Sequence, residues 1–297
     1  MMKQEKNNRS LRKNILLFIG VLVSSFILHE VHGQDEKPSL LWEVTGNNIQ
    51  TSYLYGSIHI LPKADYEMKE KVVSAFEKAD QVVLELDMDQ PGLQMAIMKH
   101  MQMKEGMTLD QLFSSEDYAK VDKEVKAALG VGLENFNTFK PFFLISLLTA
   151  KLMGKELESF EQTFVQMAKD QQKEVLGLET IEFQASIFDR IPYEEQALDV
   201  LDLVNDKERN IDLFEEMIGY YQEENIEELY QILKKELSGE NELEVMLHER
   251  NQKWVADFKG FAADKSSFFA VGAGHLGGEL GVVTLLKEAG YQVTPVF

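Results

Sequence analysis

The chain of 297 residues is acidic, with 50 Asp and Glu against 30 Lys and Arg, and it contains no cysteine. That charge makes nucleic acid and anionic membrane poor partners, because phosphate binding draws on Lys and Arg. Without cysteine there is neither a disulfide nor a lipidated N-terminal cysteine, so stability must come from core packing or a bound ion.

Residues 1–33 read as a secretory signal peptide. Lys3, Lys6, Arg9, Arg12 and Lys13 form a basic start, an apolar stretch runs from Ile15 to Leu28, and Val31 and Gly33 suit a small-residue cleavage rule. The apolar stretch is shorter than the roughly 20 residues of a membrane span, and an uncleaved N-terminal membrane anchor is the alternative reading. Loss of residues 1–33 removes five basic and two acidic side chains, which leaves 25 positive against 48 negative charges, a net of −23. The expectation is an exported bacterial envelope protein, periplasmic or secreted, without stable membrane insertion of the mature chain. No glycine- or serine-rich linker divides residues 34–297, so a single domain is expected there.

The segment "LLWEVTGNNIQTSYLYGSIHIL" predicts a β-hairpin around a Gly-Asn-Asn turn. A helix follows with Phe76 on its apolar face, and then "QVVLELDM" reads as a buried strand. Strand, helix, strand in short order argues for an α/β unit with a parallel pair. From Pro91 to about Asp170 the pattern is helical throughout: Ser caps "SSEDYAKVDKEVKAALG", Gly closes it, and the apolar "FKPFFLISLLTAKLMG" reads as a core helix. After the short strand "KEVLGLET", residues 182–259 return to helices; "SSFFAVGAGHL" is then a strand, "GELGVVTLLKEAG" a helix and "YQVTPVF" a terminal strand. The expected fold class is α/β (α+β), a central mixed β-sheet built from the N- and C-terminal segments, with a large helical insertion over about 91–170 and 182–259.

Catalytic groups in α/β sheets collect at the carboxyl ends of strands. Four predicted strands end in chemically capable residues: His59, Glu85, Glu179 and His275. Both histidines stand three residues after a glycine, in "GSIH" and "GAGH", where glycine leaves room for backbone or substrate to approach. By the two-residue strand period Val83, Glu85 and Asp87 share one face, and an ionised carboxylate on a covered sheet costs several kcal/mol unless it is paired or bound to a metal. Two imidazoles with one or two carboxylates suit a divalent ion with open positions, which polarises a carbonyl and makes water nucleophilic near neutral pH. Each histidine alone reads more simply as a hydrogen-bonded structural residue. Further along, Leu243, Leu247, Arg250, Trp254 and Phe258 share one helix face, and an arginine in that stripe must find a carboxylate or an anionic transition state, unless its head turns to water. His248 lies off this face and reads as surface, and His100, in the Met-rich "LQMAIMKHMQMKEGM", reads as core or lid packing. The chain has no HExxH, phosphate loop or G-x-S-x-G motif.

The stretches "LWEVTG…SYLYGSIHILP", "ADQVVLELD", "FVQMAKDQQKEVLGLETIEFQ", "ERNQKW" and "FFAVGAGHLGGELGVVTLLKEAGYQVTPV" resemble the TraB/GumN family, bacterial relatives of the Tiki proteins that cleave Wnt. The resemblance implies a divalent-metal hydrolase, with protease activity in the Tiki branch. It marks His59 and His275 as the motif histidines, Glu85 and Glu179 as the acidic partners and Arg250 as the arginine of "ERN".

The expectation is therefore an exported metalloprotease that takes zinc, manganese or cobalt and acts on a peptide or protein substrate. His59 and His275 bind the ion, Glu85 or Glu179 completes the shell, and the other carboxylate serves as general base. Arg250 orients a carboxylate or stabilises the oxyanion. The alternative is a non-catalytic envelope protein binding a peptide, pheromone or haem-like ligand. A role in surface polysaccharide handling rests on the family name alone.

Overall fold

In the computed structural model, which describes residues 38–154, 156–237 and 241–297, the hairpin forms as expected. Strand β1 (Leu41–Thr45) turns through Gly46, Asn47 and Asn48, all at positive φ, and returns as β2 (Ser52–Ser57). Glycine and asparagine hold that left-handed backbone at little cost. The expected signal peptide lies outside the described residues.

Strand β3 (Leu61–Pro62), helix α1 (Glu70–Lys78) and strand β4 (Gln81–Leu86) follow. The insertion begins with α2 (Leu93–His100), α3 (Leu109–Leu112), α4 (Ser115–Leu129) and α5 (Pro141–Leu152). Helix α4 is capped as read, with the Ser114 side chain accepting from the Asp117 N–H and Gly130 ending the helix at φ 76°. The insertion is not helical throughout, however. Leu157–Glu158 forms strand β5, antiparallel to β3, because the chain returns here to the loop after the hairpin. Helix α6 (Phe160–Asp170), strand β6 (Glu174–Glu179) and helices α7 (Ile181–Phe188), α8 (Tyr193–Asn205), α9 (Lys207–Gln222) and α10 (Ile226–Glu236) come next. A π-turn over Glu244–His248 runs into α11 (Glu249–Ala262). Strand β7 (Ser267–Gly272), helix α12 (Val282–Glu288) and strand β8 (Gln292–Pro295) complete the chain. Among the described residues no helix is long and apolar enough to cross a membrane.

Six strands make one mixed sheet in the order β6-β4-β7-β2-β1-β8, in an α/β architecture. The four strands β6, β4, β7 and β2 are adjacent and mutually parallel, so their carboxyl ends lie along one edge. Alternation along the strands serves two layers. Tyr55, Val82, Leu84 and Phe268 pack with Phe76 of α1 and with Phe160 and Phe164 of α6. On the other face Leu54, Val83, Phe269 and Val271 pack with Trp254 and Phe258 of α11 and Leu286 of α12. The insertion carries its own core, in which Leu144 and Leu148 of α5 meet Val200 and Leu201 of α8.

One buried carboxylate ties the sheet edge to the helices. Glu224, just beyond α9, accepts from the Leu40 N–H at 3.1 Å and from Lys69 and Lys71 Nζ at 2.7 and 2.6 Å. Burial opposes its ionisation, but the two lysines and the N–H outweigh burial and lower its pKa. A depressed carboxyl contributes stability above its unfolded pKa of about 4.3, and that contribution is lost as the pH falls through the lower folded value. Glu224→Gln is therefore expected to cost about 2 kcal/mol in urea unfolding at pH 7, with the deficit shrinking below about pH 4.

Candidate active site

The parallel edge brings the sequence candidates together. Strands β2 and β7 are neighbours, with Ser57 opposite Gly272, so the two Gly-x-x-His motifs lie side by side. Neither histidine is on a strand: β2 ends at Ser57 and β7 at Gly272, and His275 lies in a short 3-10 turn, Ala273–His275. The two glycines serve different ends. A Cβ on Gly56 would stand 2.7 Å from Leu276 Cδ1 and 3.0 Å from Ala273 Cα, so Gly56 lets the turn that carries His275 fold over β2. A Cβ on Gly272 would stand 3.5 Å from Glu85 Oε1, 3.5 Å from the His275 ring carbon Cδ2 and 3.7 Å from His59 Nε2. Three candidate side chains thus border the one space that this glycine leaves open.

Arg250, from α11, is the hub of the buried part. Its Nε and Nη2 donate to the two oxygens of Glu179, each at 2.9 Å, in a two-pronged pair. Nη2 also donates to Glu85 Oε2 at 2.6 Å, and Nη1 donates to the Met246 carbonyl at 3.1 Å and to His275 Nε2 at 3.2 Å. A guanidinium has five N–H groups, and these contacts use all five. The group lies 4.7 Å over the Trp254 ring, and Trp254 Nε1 donates to Glu179 Oε1 at 2.9 Å. Arg250 is thus paired with the carboxylates of Glu85 and Glu179, and it has no N–H left over for an oxyanion.

Each remaining group has a defined electrostatic state. Burial would raise the Glu85 carboxyl, but Arg250, the two histidines and the Gly272 N–H at 2.9 Å on Oε1 hold it well below the usual carboxylate range. Burial, then the Arg250 charge, pushes His275 down to about 3, so its imidazole is neutral. Its Nδ1 lies 2.6 Å from Asn251 Oδ1, an acceptor, and so carries the proton; Nε2 accepts from Arg250. The His59 Nδ1 lies 3.1 Å from Glu161 Oε1, which also accepts from Ser57 Oγ at 2.6 Å. Surrounding protein disfavours charge on His59, while the Glu161 hydrogen bond and the Glu85 and Glu161 charges raise it, to about 9. The side chain is 65% exposed, which softens the burial contribution, so the direction rests on the Glu161 pair.

Sequence reasoning did not find Glu161, Asn251 or Gln184. Glu161 and Asn251 orient the two histidines, and Gln184 Nε2 reaches Glu85 Oε2 at 3.3 Å and Glu179 Oε2 at 3.5 Å. Asn251 was legible in part, as the residue after Arg250 in "ERN". His248 is not a surface residue: its side chain is 12% exposed, held between Glu244 and Tyr230. It lies off the apolar stripe as read, at the end of the π-turn, and is covered there by Tyr230 of α10. His100 is only half-buried and lies 3.5 Å from Glu182, on a helix with no buried residue.

The donor chemistry suits a divalent cation: two imidazoles, one of them backed by a carboxylate and the other by an amide oxygen, the usual way of orienting a metal-binding histidine. Against this, Arg250 occupies His275 Nε2, and among the described residues no group of three or more His, Cys, Asp or Glu stands close enough to hold an ion. No curated protein and no solved structure matches the chain. The model of the TraB/PrgY/gumN family matches residues 40–295, the whole span from the hairpin to the last strand, and the chain belongs to that family.

Proposed function

We propose that the protein is an exported, divalent-metal-dependent hydrolase that cleaves peptide bonds, with His59, His275 and Glu85 as the ion's ligands. The observation that carries this reading is the convergence of Glu85 on β4, His275 just beyond β7 and His59 just beyond β2 on the space above Gly272, at the carboxyl edge of three neighbouring parallel strands. A bound zinc, manganese or cobalt ion supplies Lewis acidity for attack by water on a carbonyl.

The chain's own residues divide the remaining work. Glu161 turns the His59 ring so that Nε2 faces the space, and Asn251 keeps the His275 proton on Nδ1 and the lone pair on Nε2. His275 Nε2 would hold the ion only in place of the hydrogen bond it accepts from Arg250 Nη1. Glu85 stays ionised at any working pH, and such a weak base suits ligation better than proton abstraction. Glu179, its side chain fully buried and its oxygens occupied by Arg250 and Trp254, anchors the arginine.

Mass spectrometry of a mixed peptide pool tests the proposal. New termini are expected that disappear with a chelator and return with added zinc, manganese or cobalt. An intact pool under every metal, or cleavage indifferent to chelator, would refute it. Capture of a ligand without turnover is the second reading, favoured by the complete use of Arg250's donors within the protein. It predicts that peptide is bound and recovered whole.

A further inference from the structure

Helix α2 lies at the active edge yet is poorly covered. It follows β4, which carries Glu85, and none of its residues is buried although Leu93, Met95, Ile97 and Met98 are all large and apolar. Met95 is 76% exposed and Met98 50%. Helix α7, which follows β6 and Glu179, adds Phe183 at 37%. Among the described residues, three of the six exposed large apolar side chains lie on these two helices, and methionine, unbranched and polarisable, adapts to varied apolar shapes.

Between α2, α5 and α7 a crevice of about 30 Å³ opens, walled by His100, Met101, Lys140, Phe142, Phe188 and Gln184. The rings of Phe142 and Phe188 stack at 3.8 Å. Gln184 belongs to crevice and site alike, because its amide donates to Glu85 and Glu179. Gln184 thus stands between this apolar wall and the carboxylates.

We propose that the α2–α7 surface is the subsite for a large apolar side chain, such as Leu, Phe or Met, of an extended peptide whose neighbouring residues are neutral or basic. The inference rests on the hydrolase reading for the direction of the peptide toward Glu85, and it names the substrate class. Charge favours this occupant: a chain with 50 acidic against 30 basic residues repels acidic peptides and anionic lipid surfaces. One eight-residue helix and a phenylalanine offer less than the roughly 800 Å² per partner of a stable dimer.

Fluorescence anisotropy with the full protein reads the subsite without turnover. The probes are two short labelled peptides that differ only in a central Leu-Phe or Ser-Ser pair. The Leu-Phe peptide is expected to bind about tenfold tighter or better. The triple variant Met95→Ser, Met98→Ser, Phe183→Ser should abolish the difference, while Val131→Ser, at an exposed apolar residue of the insertion, should keep it. Equal affinities, a preference that survives the triple variant, or self-association that vanishes in that variant would overturn the proposal. Preference without chelator-sensitive cleavage would sink the hydrolase and keep the subsite; cleavage without preference would do the reverse.

Discussion

Arg250→Leu is expected to destabilise the protein by about 3–5 kcal/mol at pH 7, the cost of leaving buried charge without its partner. Glu85 and Glu179 are both buried, and the guanidinium is the only cation in contact with either one among the described residues. In the variant Glu85 loses the guanidinium, the largest influence set against its burial, so its pKa rises and protonation becomes a way to relieve the strain. The deficit should therefore narrow as the pH falls from 7 toward 5. The intact protein behaves oppositely, since the depressed Glu85 contributes stability at all pH values above its unfolded pKa and loses it only in strong acid. Arg250→Lys keeps the charge but not the planar fork, and should give a smaller loss with the same sign. Urea unfolding at the two pH values checks all three statements, and a deficit below about 1 kcal/mol for Arg250→Leu would show that the carboxylates are held by something else.

Loss of either motif histidine is expected to affect chemistry far more than folding. His59→Ala removes a side chain that is 65% exposed, and His275→Ala removes a neutral ring. Each should lower peptide cleavage by about 10³-fold, the several kcal/mol that a Lewis-acidic ion supplies to the transition state. The residues behind them should matter less: Glu161→Gln and Asn251→Ala are expected to cost about 10- to 100-fold, the range for groups that orient metal-binding histidines. Circular dichroism on the same samples separates this grading from loss of fold, and equal activities for the four variants would contradict it.

Much of this arrangement is legible in the residues. Runs such as "QVVLEL" and "SFFAVG" alternate between the two faces of a covered sheet, so β4 and β7 declare themselves. The apolar stripe of α11 likewise fixes Arg250 on the inner face with Trp254 and Phe258. With parallel strands inferred, the convergence of the strand ends follows from topology alone. What spacing cannot carry is partnership across the chain: Glu161 is 102 residues from His59, and Gln184 is 99 from Glu85. The helical reading of 91–170 overlooked Leu157–Glu158 because a two-residue strand has no periodicity to detect. The surface reading of His248 failed for the same reason of partnership across the chain, since Tyr230 of α10 packs against it.

Metal analysis of protein purified without chelator tests most directly whether His59, His275 and Glu85 share one cation. The expected result is about one equivalent of a divalent transition metal in the wild type, lost in both His59→Ala and His275→Ala. The same metal content in all three proteins, or none in the wild type after incubation with zinc, manganese and cobalt, would contradict it.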